Sequence, residues 1–338
     1  MNYSGEDEYQ KDRVKEGVKQ HIYSTIYFDN IEFIVNNFIR LMNELFVDYF
    51  QYNPEMLIKM KLDLSLDKET KNQSKIENDY ELWKTINANK PFVAIYNLER
   101  KRVTLLKDHR YFGGLFFMKL GCKLLNYKLV TIYKESYYPL YTEKCILYFC
   151  KYWFLQKPDF SNNMIPFVTC PEDIQRKTYE LNFKKYKIKV RKQTQVFYEI
   201  LKPIYDIIAP IIKRPLRILI PVAFESSRQS FNNVGGIFID FANDTIYELE
   251  QKIADNKYQA HATNIIQKFI NSGKTARSDV DIVFSAGYIE SNGNDFAQFT
   301  NVNVSYLSIA HYPIYILSST SNNKCFVTVT SMTPLLRF

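Results

Sequence analysis

The segment Leu216–Phe224, LRILIPVAF, most constrains what this chain can fold into. Arg217 alone interrupts its apolar run, and the run lacks the alternation of a strand with one wet face. Such a run describes a central strand covered on both faces, so the fold must supply layers above and below it. The rest of the sequence supplies them. IYSTIYF, after His21, has the β-branched and aromatic composition of a strand. Asn30 then stands as the cap of a helix with apolar positions at Ile31, Ile34, Val35, Phe38, Leu41, Met42 and Leu45. That spacing gives one broad apolar stripe, which must lie on another layer.

Further along, Pro54 ends this helix and Met56–Leu64 reads as a strand. Asp67–Asp79 is polar and aperiodic, and reads as a surface loop. A short helix over Leu82–Ile86 leads to the strand KRVTLLKD, and Leu115–Leu125 reads as a buried helix. Tyr127–Pro171 is aromatic-rich and yields no assignment. A helical pattern runs from Gln193 to Ile212, where Pro203 and Pro210 predict a kink or two pieces. Gly235-Gly236 reads as a loop before a strand. Thr245 and Glu248 form a capping box for one helix through Leu249, Ile253, Ile265 and Phe269. Val280–Thr330 reads as strands separated by Asn/Ser/Gly turns. The organisation is therefore α/β, with a flexible tail at 1–14, an N-terminal half at 15–175 and a C-terminal half at 176–338.

Composition narrows the function classes. Hydrophobic residues make up 46% of the 338, enough for a large core. No stretch reaches the roughly 18 apolar residues of a membrane span, and no apolar core follows a basic leader. Cys122, Cys145, Cys150, Cys170 and Cys325 are odd in number and contain no CxxC pair. They read as thiols of a reducing, cytoplasmic compartment, without a disulfide frame or metal site. The net charge is +8, and Arg176–Lys192 is locally basic. That stretch reads as the solvated face of a strand, Tyr186, Ile188 and Val190 alternating with lysines. Attraction to coenzyme A phosphates, to an acidic carrier domain or to nucleic acid stays open. Nucleic acid is the weakest of these, because no binding motif accompanies the charge.

The chemistry-bearing stretch is DHRYFGG, Asp108–Gly114. His109 stands where a strand ends, and Gly113-Gly114 mark a turn into a helix. His21, His261 and His311 lack such a setting and read as structural. In element order and in this motif the chain resembles the chloramphenicol acetyltransferase and condensation-domain acyltransferases, whose strand ends in HHxxxDG before a helix. Aligned to that motif, His109 is the second histidine, the general base, and Gly114 is the glycine. Asp108 stands in place of the first histidine, and Gly113 in place of the aspartate that pairs with an arginine. In the second half, Pro221–Arg228 and Gly235–Phe238 match a strand ending in that arginine and a G-x-F strand, so Arg228 is its counterpart.

The resemblance implies two related halves, mixed sheets flanked by helices, and a tunnel between them. It implies acyl transfer from an acyl-CoA or a carrier phosphopantetheine thioester to a hydroxyl or amine, with no tightly bound cofactor. An acyl carrier protein is the partner it allows. His109 would remove the acceptor's proton during attack on the thioester. Oxyanion donors would come from Ser318, Ser319, Thr320 or Ser321, chiefly Ser319 and Ser321, where one branch of the family carries Ser-Thr-Ser. The alternative is a catalytically degenerate copy of the fold that serves binding or structure.

Overall fold

The computed structural model describes residues 21–50, 64–109, 112–129, 133–134, 143–150, 164–182, 190–225, 234–270, 280–307, 312–321 and 324–338. The tail, the Met56 strand up to residue 63, and the alternation at Tyr186 and Ile188 lie outside them. Strand β1 (His21–Phe28) is followed by helix α1 (Ile31–Phe50), whose N-terminus Asn30 caps by accepting from the Phe33 N–H at 3.2 Å. Next come β2 (Asp67–Lys68), α2 (Asp79–Lys84), β3 (Phe92–Asn97), β4 (Arg102–Asp108) and α3 (Gly114–Leu125). The middle contributes β5 (Tyr127–Leu129), β6 (Tyr133–Lys134), α4 (Glu143–Cys150) and β7 (Gln175–Asn182). The remainder is α5 (Lys192–Ile212), β8 (Leu216–Glu225), β9 (Val234–Phe241), α6 (Ile246–Asp255), α7 (Lys257–Ile270) and β10 to β13. Those last four strands span Ile282–Ser291, Phe299–Tyr306, Ile314–Ser321 and Lys324–Ser331.

Two sheets result. The five-stranded sheet has the order β11-β1-β4-β3-β2, and the eight-stranded sheet runs β6-β8-β10-β12-β13-β7, with β5 beside β10 and β9 beside β8. The sheets exchange strands across the middle of the sequence. β11 comes from the C-terminal third yet pairs with β1, Ile22 opposite Tyr306, whereas β5 and β6 join the other sheet. Among the described residues, no helix is long and apolar enough to cross a membrane.

Several local expectations are corrected. Phe92–Asn97, between the expected helix and KRVTLLKD, adds a strand that the sequence reading does not include, β3, paired antiparallel with β4. α2 begins at Asp79, three residues before the expected helix, because the Asn78 side chain accepts from the Tyr80 and Glu81 N–H groups. α5 is one continuous helix with both prolines inside it. Its buried face of Val196, Phe197, Ile200, Leu201, Ile204 and Ile208 joins the core of the eight-stranded sheet. That burial outweighs the lost backbone bonds, and both prolines lie on the exposed side. The capping box at Thr245 and Glu248 is present, but Asn256 divides the expected helix into α6 and α7. Gly235 and Gly236 lie inside β9, where close approach explains them. A Cβ on Gly235 would overlap the Ala260 carbonyl of α7, and one on Gly236 would come within 2.5 Å of Leu219.

β8 departs most usefully from expectation. Leu216, Ile218, Ile220, Val222 and Phe224 are buried in the core with α5, as a central strand requires. The other face, Arg217, Leu219, Pro221 and Ala223, is only half-buried. The strand is covered fully on one side, and the other side looks towards the five-stranded sheet.

The loop at Asp67–Asp79 is also more than a surface connection. Glu69 is 7% exposed and receives Arg102 Nε at 2.9 Å and Nη2 at 3.1 Å, while Asn97 Nδ2 donates to it at 2.8 Å. Arg102 Nη2 also donates to the Ile76 carbonyl at 2.9 Å, so a buried guanidinium holds the whole loop on the sheet. Removing one partner of such a pair strands the other charge in the interior. Glu69→Ala is expected to lower unfolding stability by about 3–5 kcal/mol in chemical denaturation, and Glu77→Ala, at an exposed ion pair, by under about 1 kcal/mol.

Candidate functional site between the two sheets

The C-terminal end of β4 builds one wall of the site. β4 is central in its sheet, with β1 and β3 on its two edges, so the residues at its end are held by ladders on both sides. The Asp108 N–H donates to the Pro91 carbonyl at 2.8 Å, and the Asp108 carbonyl accepts from the Phe112 N–H at 3.0 Å. His109 is the first residue beyond the strand and is half-buried. Asp108 is 2% exposed, lies opposite His21 in β1, and shares its strand face with Leu106, which packs under α2.

Gly113 and Gly114 open α3, though neither needs the conformational freedom of glycine. Gly113 is the cap residue with φ −76° and ψ 176°, an extended backbone open to any residue. A Cβ on Gly114 would meet nothing within 4 Å. The cap supplies no side-chain acceptor to the first N–H groups of α3. Arg228 lies outside the described residues.

The opposite wall is the half-buried face of the eight-stranded sheet. Beyond Leu219 and Val283, β8 and β10 no longer pair with each other. β8 ends beside β6 and β10 ends beside β5, so the sheet splays where its face is least covered. Ser285 and Gly287 of β10 and Leu317 and Ser319 of β12 are half-buried on this face. Tyr315, on the same face of β12, packs in one cluster with Ile22 and Tyr306 of the five-stranded sheet. Ser319 and Ser321 follow it along that face. Ser318 and Thr320 point the other way, with Ile314 and Ile316. The Ser318 hydroxyl is buried without a hydrogen-bond partner, and Thr320 Oγ1 donates to Cys325 Sγ at 3.2 Å.

α3 crosses between the walls. Its Met118 fills the space a Gly287 side chain would need, with Sδ 2.9 Å from that Cβ position, and Gly121 sits against Ile289. One residue before Met118, the half-buried Phe117 ring lies 3.6 Å below the ammonium of Lys107. Lys107 is a functional group that sequence reasoning missed. Its signal is a charged residue at an inward position of a strand otherwise closed to solvent. Burial pushes its ammonium down to about 7.

The remaining histidines and thiols are quieter. His261 is 3% exposed and stands edge-on to Phe224 at 4.7 Å, and burial lowers its pKa. His311 lies outside the described residues. Burial pushes the Cys122 and Cys325 thiols up to about 12, so neither forms a thiolate near neutrality. Among the described residues no group of His, Cys, Asp and Glu is placed to hold a metal ion.

No protein-family model matches the sequence, and no curated protein matches it. Solved structures match in fold. The epimerization domain from the third module of tyrocidine synthetase B is 10% identical, with a TM-score of 0.55 over 98% of this chain and 91% of that one. The nonribosomal peptide synthetase FmoA3 is 8% identical, with a TM-score of 0.55 over 96% of this chain and 41% of that much longer one. The chain has the two-lobed condensation-domain fold. In this fold the five-stranded and eight-stranded sheets are the cores of the two lobes, and the walls described above face each other between them.

Two outcomes follow from this geometry. Gly114→Ala places a methyl in open space at the exposed first residue of α3 and narrows the unfolded chain's freedom. It is expected to raise stability by about 0.4–1 kcal/mol in urea denaturation. Lys107 binds a proton more weakly in the folded chain than in the unfolded one, whose lysine keeps its ordinary value of 10.5. Its burial penalty is therefore complete below about pH 7 and relieved as pH rises towards 10.5. Lys107→Met should be more stable than wild type by on the order of 4 kcal/mol at pH 6, and the gap should close by pH 10.

Proposed function

We propose that the protein transfers an acyl group from a coenzyme A or carrier-bound thioester to a hydroxyl or amine acceptor, with His109 as general base. The observation that carries this reading is the placement of His109. It is half-buried, at the end of the central strand of one lobe and before a helix, as the family's base is. The fold is shared with domains of peptide-forming synthetases, in which carrier thioesters are the natural donors. A tunnel between the lobes would bring donor and acceptor to His109 from opposite sides.

In the reaction, the imidazole accepts the acceptor's proton as its oxygen or nitrogen adds to the thioester carbonyl. The tetrahedral oxyanion needs a donor, and the candidates are Ser319 and Ser321, which share one face of β12. Collapse breaks the carbon–sulfur bond, and the imidazolium returns its proton to the departing thiolate. Asp108 and the Asp108–Phe112 turn hold the loop, and Arg228 is the family counterpart of the arginine that pairs with the motif carboxylate. With Gly113 that carboxylate is missing, and this observation favours a second reading, in which the fold binds ligand without turnover.

His109→Ala separates the two. As a base its loss should lower acyl transfer by about 10²–10⁴ with little change in melting temperature. The assay uses wild type and variant with a panel of acyl-CoA donors and hydroxyl and amine acceptors. No thioester turnover by wild type, together with a loss of about 1–3 kcal/mol in the variant, would support the second reading instead.

A further inference from the structure

The cation at the boundary of the two lobes is compensated differently from the other buried cations of this chain. Arg102, earlier on β4 and on its opposite face, is matched by Glu69. Arg214 Nη2 donates to Asp281 Oδ1 at 2.8 Å, and the Arg217 N–H donates to Asp281 Oδ2 at 2.8 Å. Arg176, with only part of its surface buried, donates to the Ser305 hydroxyl at 2.9 Å and to the Tyr306 carbonyl at 2.6 Å. Lys107 is 4% exposed, lies between Ile22 and Phe92 on the neighbouring strands, and rests its ammonium on the Phe117 ring. Among the described residues no carboxylate or hydrogen-bond acceptor meets its ammonium. Burying a charge in this way is costly, and an aromatic face returns only part of the cost.

The surroundings define what would complete it. Phe117 and Met118 are half-buried, and Met118 touches the other lobe at Gly287. Across from them, Leu219 and Leu317 leave apolar surface half-exposed on the face of the eight-stranded sheet. A single ammonium amid apolar groups matches a monovalent carboxylate. A phosphate dianion would call for several positive charges around it, and the Lys107 ammonium supplies one. We infer that Lys107 anchors the carboxylate of an amphiphilic ligand, a fatty or aryl-aliphatic acid whose apolar body lies along the half-exposed face between the lobes. The inference concerns binding and holds whether or not His109 catalyses acyl transfer.

Sodium decanoate is the probe, titrated calorimetrically into the full chain, with decanol as the uncharged control. Wild type should bind decanoate saturably and decanol far more weakly. Lys107→Met and Lys107→Gln should each weaken decanoate binding by at least about tenfold, the loss expected for one charge-assisted contact. Lys84→Met, at an exposed ion pair on α2, should bind decanoate as wild type does. Circular dichroism confirms that each variant is folded, and either Lys107 variant suffices for the test. Absence of saturable binding to wild type overturns the inference, as does equal affinity for decanol. Retained binding by a folded Lys107 variant, or loss of binding in Lys84→Met alone, would place the anion elsewhere and overturn it too.

Discussion

The pairing of β1 with β11 is the constraint on which the rest of this structure depends. Ile22 meets Tyr306 across an antiparallel ladder that joins the two ends of the described chain. β11 thereby belongs to one lobe by its backbone bonds and to the other by its position. The Val304 N–H donates to Thr328 Oγ1 at 3.2 Å, and the Ser305 and Thr330 hydroxyls stand 2.9 Å apart. Arg176, expected on a solvated face, instead reaches from β7 to the Ser305 hydroxyl and the Tyr306 carbonyl. These bonds set how closely the sheets approach at one end. At the other end, the exchanged strands β5 and β6 prop β10 and β8 apart. The two sheets are thus pinned to each other at one end by β11, while at the other each of β8 and β10 has an exchanged strand beside it.

The two cations of β4 show how charge is handled on the two faces of one strand. Arg102 is surrounded by acceptors drawn from a polar loop, a costly arrangement in sequence that yields a fixed structure. Lys107 lies on the face that looks between the lobes and is left to an aromatic ring. The contrast separates a structural ion pair from a charge held ready. The first is satisfied within the fold, and the second carries a proton affinity set by desolvation.

Much of the architecture was legible in the sequence, because its signals are local. The Asn30 cap, the Thr245–Glu248 box and the periodicity of Ile31–Leu45 act over a few residues, and they specify α1 and α6 without tertiary information. The DHRYFGG stretch likewise placed His109 at a strand end before a helix. What was not legible depended on partners far along the chain. Glu69 reads as one more charge in a polar loop until Arg102 is opposite it. LRILIPVAF reads as covered on both faces because apolar composition cannot tell a buried face from a half-buried one. Gly235 suggested a loop, because sequence cannot show that the Ala260 carbonyl lies against its α-carbon. Lys107 escaped notice because a lysine in a strand ordinarily faces water, and only the packing of Phe117 over it shows that this one does not.

The β1–β11 ladder also has a consequence for how the chain emerges from the ribosome. β1, β3 and β4 are synthesised early and can pair at once, but the outer edge of β1 must wait for β11. At about 5–20 residues per second, that wait lasts on the order of 10–40 s. Through that interval the nascent chain displays IYSTIYF, an uncharged, proline-free edge of high strand propensity. The strand that later locks the lobes together is, during synthesis, the surface most open to pairing with another nascent copy. Its protection in the finished protein comes only when Phe299–Tyr306 has been made.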